Sequence, residues 1–120
     1  MEQELMLDPA LQSAKNVAWW LYVFHAASFL FSLGALSWIP LIINYIKRPD
    51  SAGTFVHSHH TWQIRSFWWY FAWMFLGGVL AFTIVGIVLA LPIWGIAWVW
   101  KAYRLLKGIF NLSENRPMPV

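Results

Sequence analysis

Four histidines are the side chains of this chain best suited to metal or haem chemistry. His57, His59 and His60 crowd into "FVHSHHTWQIRSFWWYF" (55–71), and His25 sits alone inside "WWLYVFHAASFLFS" (19–32). Histidine is the commonest metal ligand because its neutral ring offers a lone pair near physiological pH. A complete site needs three or four convergent ligands, and the chain has no cysteine and no carboxylate close to the triplet. On a helix His57 and His60 share a face, whereas His59 points elsewhere. A b-type haem between His25 and the triplet requires rings facing each other at similar depth, yet the triplet stands where a charged loop gives way to an apolar segment. His25, inside an apolar run, is a functional candidate by position alone. A neutral imidazole costs far less to bury than a charge, and Ser28 offers it a hydrogen bond three residues on. The preferred reading is that one histidine of the triplet caps or packs at the loop-to-helix junction. No metal and no cofactor is expected, and His25, His57, His59 and His60 are the residues that would hold one.

Aromatic and basic residues form the second constellation. Trp62, Trp68, Trp69, Tyr70 and Trp73 cluster around Arg65, and Trp94, Trp98, Trp100 and Tyr103 around Lys101 and Arg104. Trp and Tyr favour the bilayer boundary, where an apolar ring and a polar N–H or O–H are both satisfied. Cationic side chains snorkel at the same depth and rest on ring faces. Trp62, Arg65, Trp68, Trp69, Trp98, Lys101, Arg104 and Lys107 are therefore expected at a lipid interface. Lys101, Arg104 and Lys107 recur every three residues as a basic strip, whose natural partner is an anionic lipid headgroup. No nucleophile–base pair, phosphate loop or carboxylate pair is present, so no enzymatic activity is expected. The acidic residues Glu2, Glu4, Asp8, Asp50 and Glu114 all lie outside the apolar blocks.

These side chains have to be positioned by long apolar elements. Of the 120 residues 60% are hydrophobic and 11% charged, with a mean hydropathy of +0.55; soluble domains carry about a quarter charged residues. The net charge of +3 is too small and dispersed for nucleic-acid binding. The fold class expected is an all-α integral membrane protein, a small bundle of three to four transmembrane helices with a C-terminal helical hairpin. A polar N-terminal tail (1–16) is expected, able to begin a short helix at Asp8-Pro9 or Ser13, with no cleavable signal peptide. A single transmembrane domain (17–112) and a tail (113–120) follow. Its first apolar block (17–46) would make a helix of about 45 Å against a core of about 30 Å. It is either one span kinked at Pro40 or, preferably, two helices broken near "SLGALSWIP". A loop at 47–65 leads to a hairpin at 66–112 that bends around "FTIVGIV", since Ser66 to Trp100 carries no charge. The hairpin brings Lys47, Arg48, Arg65, Lys101, Arg104, Lys107 and Arg116 to one side, so the central loop and C terminus are expected in the cytoplasm. Small residues at Gly77, Gly78, Ala81 and Gly86 suit close helix packing, within one copy or between copies.

The segments "WIPLIINYIKRPDS", "FVHSHHTWQIRSFWW" and "WVWKAYRLLKGIFNLSENRPMP", with a long apolar hairpin between the last two, occur in an order that resembles the DUF4870 family of small bacterial membrane proteins, also called Tic20-like. The matching positions are Ile39-Pro40-Leu41, Lys47-Arg48, His57 to His60 with Gln63 and Phe67, and Lys101-Ala102 with Pro117 or Pro119. The family commonly has an acidic residue before its histidine and an Asn-Phe-Gln run, where this chain reads Gln63-Ile64-Arg65-Ser66-Phe67. The resemblance implies a helical bundle in the bacterial inner membrane and no catalytic activity, and kinship to a chloroplast import component implies an assembly or translocation role. The expected function is thus a non-enzymatic accessory or assembly subunit acting through helix–helix and lipid contacts, as a homo-oligomer or within a larger membrane complex. The alternatives are an oligomeric channel or transporter component, or a His-ligated metal or haem membrane protein.

Overall fold

The computed structural model describes residues 9–119, and these are almost entirely helical. Helix α1 (Pro9–Ser32) begins with proline, whose missing N–H costs nothing in the first turn. The chain then breaks where small residues and proline cluster. Leu33 and Gly34 take positive φ values of 55° and 94°, a 3₁₀ turn covers Ala35–Ser37, and α2 follows (Trp38–Lys47). Pro40 is the third residue of α2, where no intrahelical donor is needed, so it starts a helix rather than kinking one. A second 3₁₀ turn (Arg48–Ser51) leads to α3 (Phe55–Ala81), and α4 (Gly86–Ser113) completes the chain.

The expected loop at 47–65 is much shorter in the structure, because α3 starts at Phe55. Thr54 is extended, and its hydroxyl accepts from the Val56 N–H at 3.2 Å, an N-cap. The run from His57 to Arg65 is polar but helix-compatible, so apolarity marks where the exposed face becomes greasy and not where the helix begins. The bend between α3 and α4 falls at 82–85, with the Thr83 hydroxyl accepting from Gly86 N at 2.8 Å.

Helices α3 and α4 run antiparallel along most of their length. Trp62 meets Arg104 at one end, and further along the Trp94 indole covers Gly77 so closely that a Cβ there would overlap it. Helices α1 and α2 pack on one half of this hairpin. Phe29 stacks on Trp98 at 4.7 Å and meets Tyr70 edge-on, and the Tyr70 hydroxyl donates to the Leu33 carbonyl at 3.0 Å. The α1–α2 reversal therefore lies level with Tyr70, while α3 continues to Ala81, about 16 Å farther at 1.5 Å per residue. At the opposite end the C-terminal segment folds back onto the start of α3: Met118 N donates to Ser58 Oγ at 2.8 Å, and Met118 is buried.

Among the described residues one helix, Gly86–Ser113, is long and apolar enough to cross a membrane. The ten residues of α2 extend only about 15 Å, half a hydrocarbon core. Polarity is distributed against the habit of soluble domains. Phe31, Phe82 and Ile84 are 89%, 94% and 94% exposed, while His25, Asn44, His59, His60 and Gln63 are buried at 1% exposure or less.

Candidate functional site

Two arrangements of polar side chains stand out, both at the end of the bundle where α1, α2 and the C-terminal segment meet α3. The first is an interior network centred on Asn44 of α2. His25 Nε2 lies 2.8 Å from Asn44 Oδ1, and Asn44 Nδ2 lies 2.9 Å from His60 Nδ1 and 2.8 Å from Gln63 Oε1. Gln63 Nε2 donates to the Ala18 carbonyl at 3.2 Å.

Backbone carbonyls only accept, and that fixes the direction of every bond. Because Gln63 donates to Ala18 O, its oxygen accepts from Asn44 Nδ2. Asn44 Oδ1 is then the acceptor for His25 Nε2–H, and His60 receives the second Asn44 proton on Nδ1. His59 obeys the same logic: its Nε2–H donates to Arg116 O at 2.6 Å, so its Nδ1 accepts from the Tyr22 hydroxyl at 2.8 Å. His59 and His60 are thus neutral Nε2–H tautomers, and His25 carries a proton on Nε2. His59 and His60 lie before the apolar stretch of α3, and burial holds both below the ordinary imidazole range, to about 4.

Of the four sequence candidates, the fold brings His25 and His60 to the two ends of one amide and places His59 in the same polar end. His57 is half-buried and joins none of these side-chain bonds. The Nδ1 lone pairs of His59 and His60 are already engaged, and among the described residues no three His or carboxylate groups converge as a metal set would. Tyr22 and Asn44 are the members that sequence reasoning missed, and Gln63 entered it only as a position of the family resemblance. Asn44 alone carried a signal, as the one amide inside the apolar helix "WIPLIINYIK".

The second arrangement is cationic and aromatic. The Arg104 guanidinium lies 3.6 Å from the Trp62 ring centre and 5.0 Å from that of Trp100, and its Nε donates to Ser66 Oγ at 2.7 Å. Trp62 Nε1 returns a bond to the Arg104 carbonyl at 2.9 Å. Arg104 and Arg65 line one cleft of about 280 Å³ with Trp62, Trp69, Trp73 and Trp100. Arg65, Trp68, Trp69 and Trp98 are exposed, and Lys107 lies near the Trp62 and Tyr103 rings at 5.5 and 5.8 Å.

Lys101 and Trp62, expected at the lipid interface, are buried at 1% and 5% exposure. A step of three residues rotates 300° around a helix, so positions 101, 104 and 107 wind about the axis instead of sharing one face. Lys101 is carried inward, where its ammonium lies 5.7 Å from the Tyr70 ring centre and donates to no hydrogen-bond acceptor among the described residues.

Chemically, the network orders and neutralises polar groups and presents no activated nucleophile, whereas the cleft offers a guanidinium pair beside flat apolar walls. No protein-family model, no curated protein and no solved structure matches this chain.

Proposed function

We propose that this chain is a non-enzymatic protein of the bacterial inner membrane, an accessory or assembly subunit that works through helix–helix and lipid contacts. The observation that carries this reading is the inverted polarity of the bundle. Large rings and aliphatic chains face outward along α1, α3 and α4, while amides, imidazoles and an ammonium face inward. Water on that outer surface would face an apolar area far beyond the few hundred Å² that a soluble monomer exposes. The most apolar stretch of α4 is only 22% buried, unlike a core helix of a soluble domain. The resemblance of the motif order to that of the DUF4870 proteins is in keeping with the same reading.

In this proposal α3 and α4 cross the bilayer, whereas α1 and α2 form a re-entrant pair that turns back near its middle. Two full crossings and one half-depth hairpin take the place of three to four spans. The start of α1, the segment between α2 and α3, and the C-terminal segment then share one side. Lys47, Arg48, Lys107 and Arg116 make that side the cytoplasmic one.

Because the chain has no cysteine, single-cysteine variants test this directly. Cys at Ala52 is expected to label from the cytoplasm, at Thr83 from the outside, and at Leu36 from neither, all three positions being exposed in the isolated bundle. Extraction of the chain by alkaline carbonate, or labelling of Ala52→Cys and Ser113→Cys from opposite sides, would defeat the topology. Native mass spectrometry from mild detergent is expected to retain lipid or a protein partner. A bare monomer under the gentlest release conditions would count against an accessory role.

A further inference from the structure

We infer that the cleft between α3 and α4 is a binding site for one anionic phospholipid, its phosphate held by Arg65 and Arg104 and one acyl chain lying along the groove that continues from it. The inference rests on the membrane residence proposed above and goes further by naming the ligand class and its seat.

Charge comes first. Arg65 and Arg104 line the same cleft, and no Asp or Glu lines it with them. Two guanidiniums that repel across a shared space are relieved by an anion between them. Arg104 is preorganised for that task. Trp62 and Trp100 flank its guanidinium, Ser66 fixes Nε, and Nη2 reaches the Trp62 carbonyl at 3.4 Å, which leaves Nη1 for a ligand. A planar guanidinium with a free edge suits the oxygens of a phosphate.

Shape comes second. Trp73 and Trp100 line both the cationic cleft and an apolar groove of about 350 Å³, whose remaining walls are Ile93, Ile96 and Ala97. The two cavities therefore adjoin at those shared walls, and their chemistry changes from cationic to aliphatic along the hairpin. From Arg65 to Trp73 is eight residues, about 12 Å along α3. The groove runs away from the polar end and towards the 82–85 turn, the direction an acyl chain takes from a headgroup at the cytoplasmic boundary. A free phosphate would use the arginines and leave the groove empty. A helix of a second copy would fill the groove and leave the arginines uncompensated. A phospholipid satisfies both at once.

The test uses the full chain in phosphatidylcholine vesicles that contain an equal fraction of dibrominated phosphatidylglycerol or dibrominated phosphatidylcholine, with tryptophan emission as the readout. Bromine quenches only nearby indoles, and Trp73 and Trp100 stand in the groove. Quenching by the anionic lipid is expected at a several-fold lower fraction than by the zwitterionic one. Arg65→Gln is expected to remove most of that preference, because the phosphate loses one of its two charged hydrogen-bonding partners. Lys47→Gln, which removes the same charge outside the cleft, is expected to leave it unchanged. Arg65 is exposed, so its variant tests the site without disturbing the bundle.

Equal effects of the two variants would reduce the preference to general surface charge and overturn the inference. Displacement of the brominated lipid by inorganic phosphate at matching concentration would make the cleft a simple anion site and overturn it too. Shielding of the groove tryptophans from both lipids would assign the groove to a second copy. If the protein floats with vesicles but shows no preference, this inference fails and membrane residence stands. If it does not float, both fail.

Discussion

Replacing Asn44 by Leu tests whether the interior network holds α1, α2 and α3 together. The two side chains are close in size, so the change leaves little room for a water to replace the amide. It deprives His25 Nε2–H, His60 Nδ1 and Gln63 Oε1 of a partner, all in residues exposed by 1% or less. A buried polar group left unpaired costs about 1–3 kcal/mol, whereas interhelical hydrogen bonds in membrane proteins average about 0.6 kcal/mol. Three orphaned groups, with partial relaxation among neighbours, give an expected loss of about 3 kcal/mol, a large share of the roughly 5–15 kcal/mol typical of a domain. Unfolding in mixed micelles, followed by far-ultraviolet circular dichroism and tryptophan emission, measures it against Ile42→Ala, whose side chain is 57% exposed. Adding His25→Leu to Asn44→Leu is expected to recover about 1 kcal/mol, because the orphaned N–H disappears with its ring. If Asn44→Leu falls within about 0.5 kcal/mol of the Ile42 control, the experimental scatter for surface changes, the network is not structural and the argument is wrong.

Gly77→Ala is expected to cost about 1–3 kcal/mol, because the new methyl meets the Trp94 indole, whereas Gly78→Ala meets nothing and gains up to about 1 kcal/mol of helix propensity; equal melting temperatures for the two would refute the packing assigned to Gly77. For His59 and His60 the folded pKa, about 4, lies below the ordinary 6.5, so their contribution is complete above pH 6.5 and lost as pH falls towards 4. Each histidine supplies at most about 3 kcal/mol of that loss, and a midpoint of unfolding unchanged between pH 7 and pH 4.5 would show that they titrate freely. Truncation after Ser113 removes the Arg116 carbonyl from His59, the Met118 N–H from Ser58 and the buried Met118 side chain, for an expected loss of about 3 kcal/mol. Proteolysis at the start of α3 that is no faster in the truncated chain would contradict that anchoring.

The helical character and its two main interruptions were readable because they depend on local chemistry. Ser32, Gly34 and Ser37 cannot hold a helix as alanine would, and the break appears between Ser32 and Trp38. Thr83 and Gly86 likewise supply a turn where the apolar run offered no charge to mark one. Less legible was anything that depends on which residues meet. His25, Asn44 and His60 are 16 to 35 residues apart along the chain, and nothing local announces that one amide bridges two rings. The burial of Lys101 was hidden for a related reason, since a spacing of three is close to a helical turn but not equal to it. The start of α3 at Phe55 is hard to see because a polar run reads as loop, whereas His59, His60, Gln63 and Ser66 turn inward on a helix.

The reversal between α1 and α2 joins these strands of reasoning. In the proposed topology the reversal lies at bilayer depth, where irregular backbone persists only if its polar groups are satisfied by protein or by a water-lined cavity. Around residues 32–37 the protein itself satisfies several backbone groups, although the Ser37 hydroxyl is buried without a hydrogen-bond partner among the described residues. Gly34 N donates to Ser28 O at 3.1 Å, Leu36 N to Ser32 Oγ at 3.2 Å, Ser37 N to Gly34 O at 3.1 Å, and the Tyr70 hydroxyl donates to Leu33 O. Gly34 is needed twice, for its φ of 94° and because its Cα lies against the Tyr70 ring, where an added Cβ would stand 3.0 Å from Cε2. Backbone groups bonded within the protein reduce the turn's need to reach water, which suits α1 and α2 ending half-way along α3. The short α2 then places Asn44, near its C-terminal end, level with His60 and Gln63 at the polar end of the bundle. A longer α2 would move that amide away from both. The depth of the turn and the position of the network are consequently one structural decision, made by Gly34 at one end of the helix and read out by Asn44 at the other.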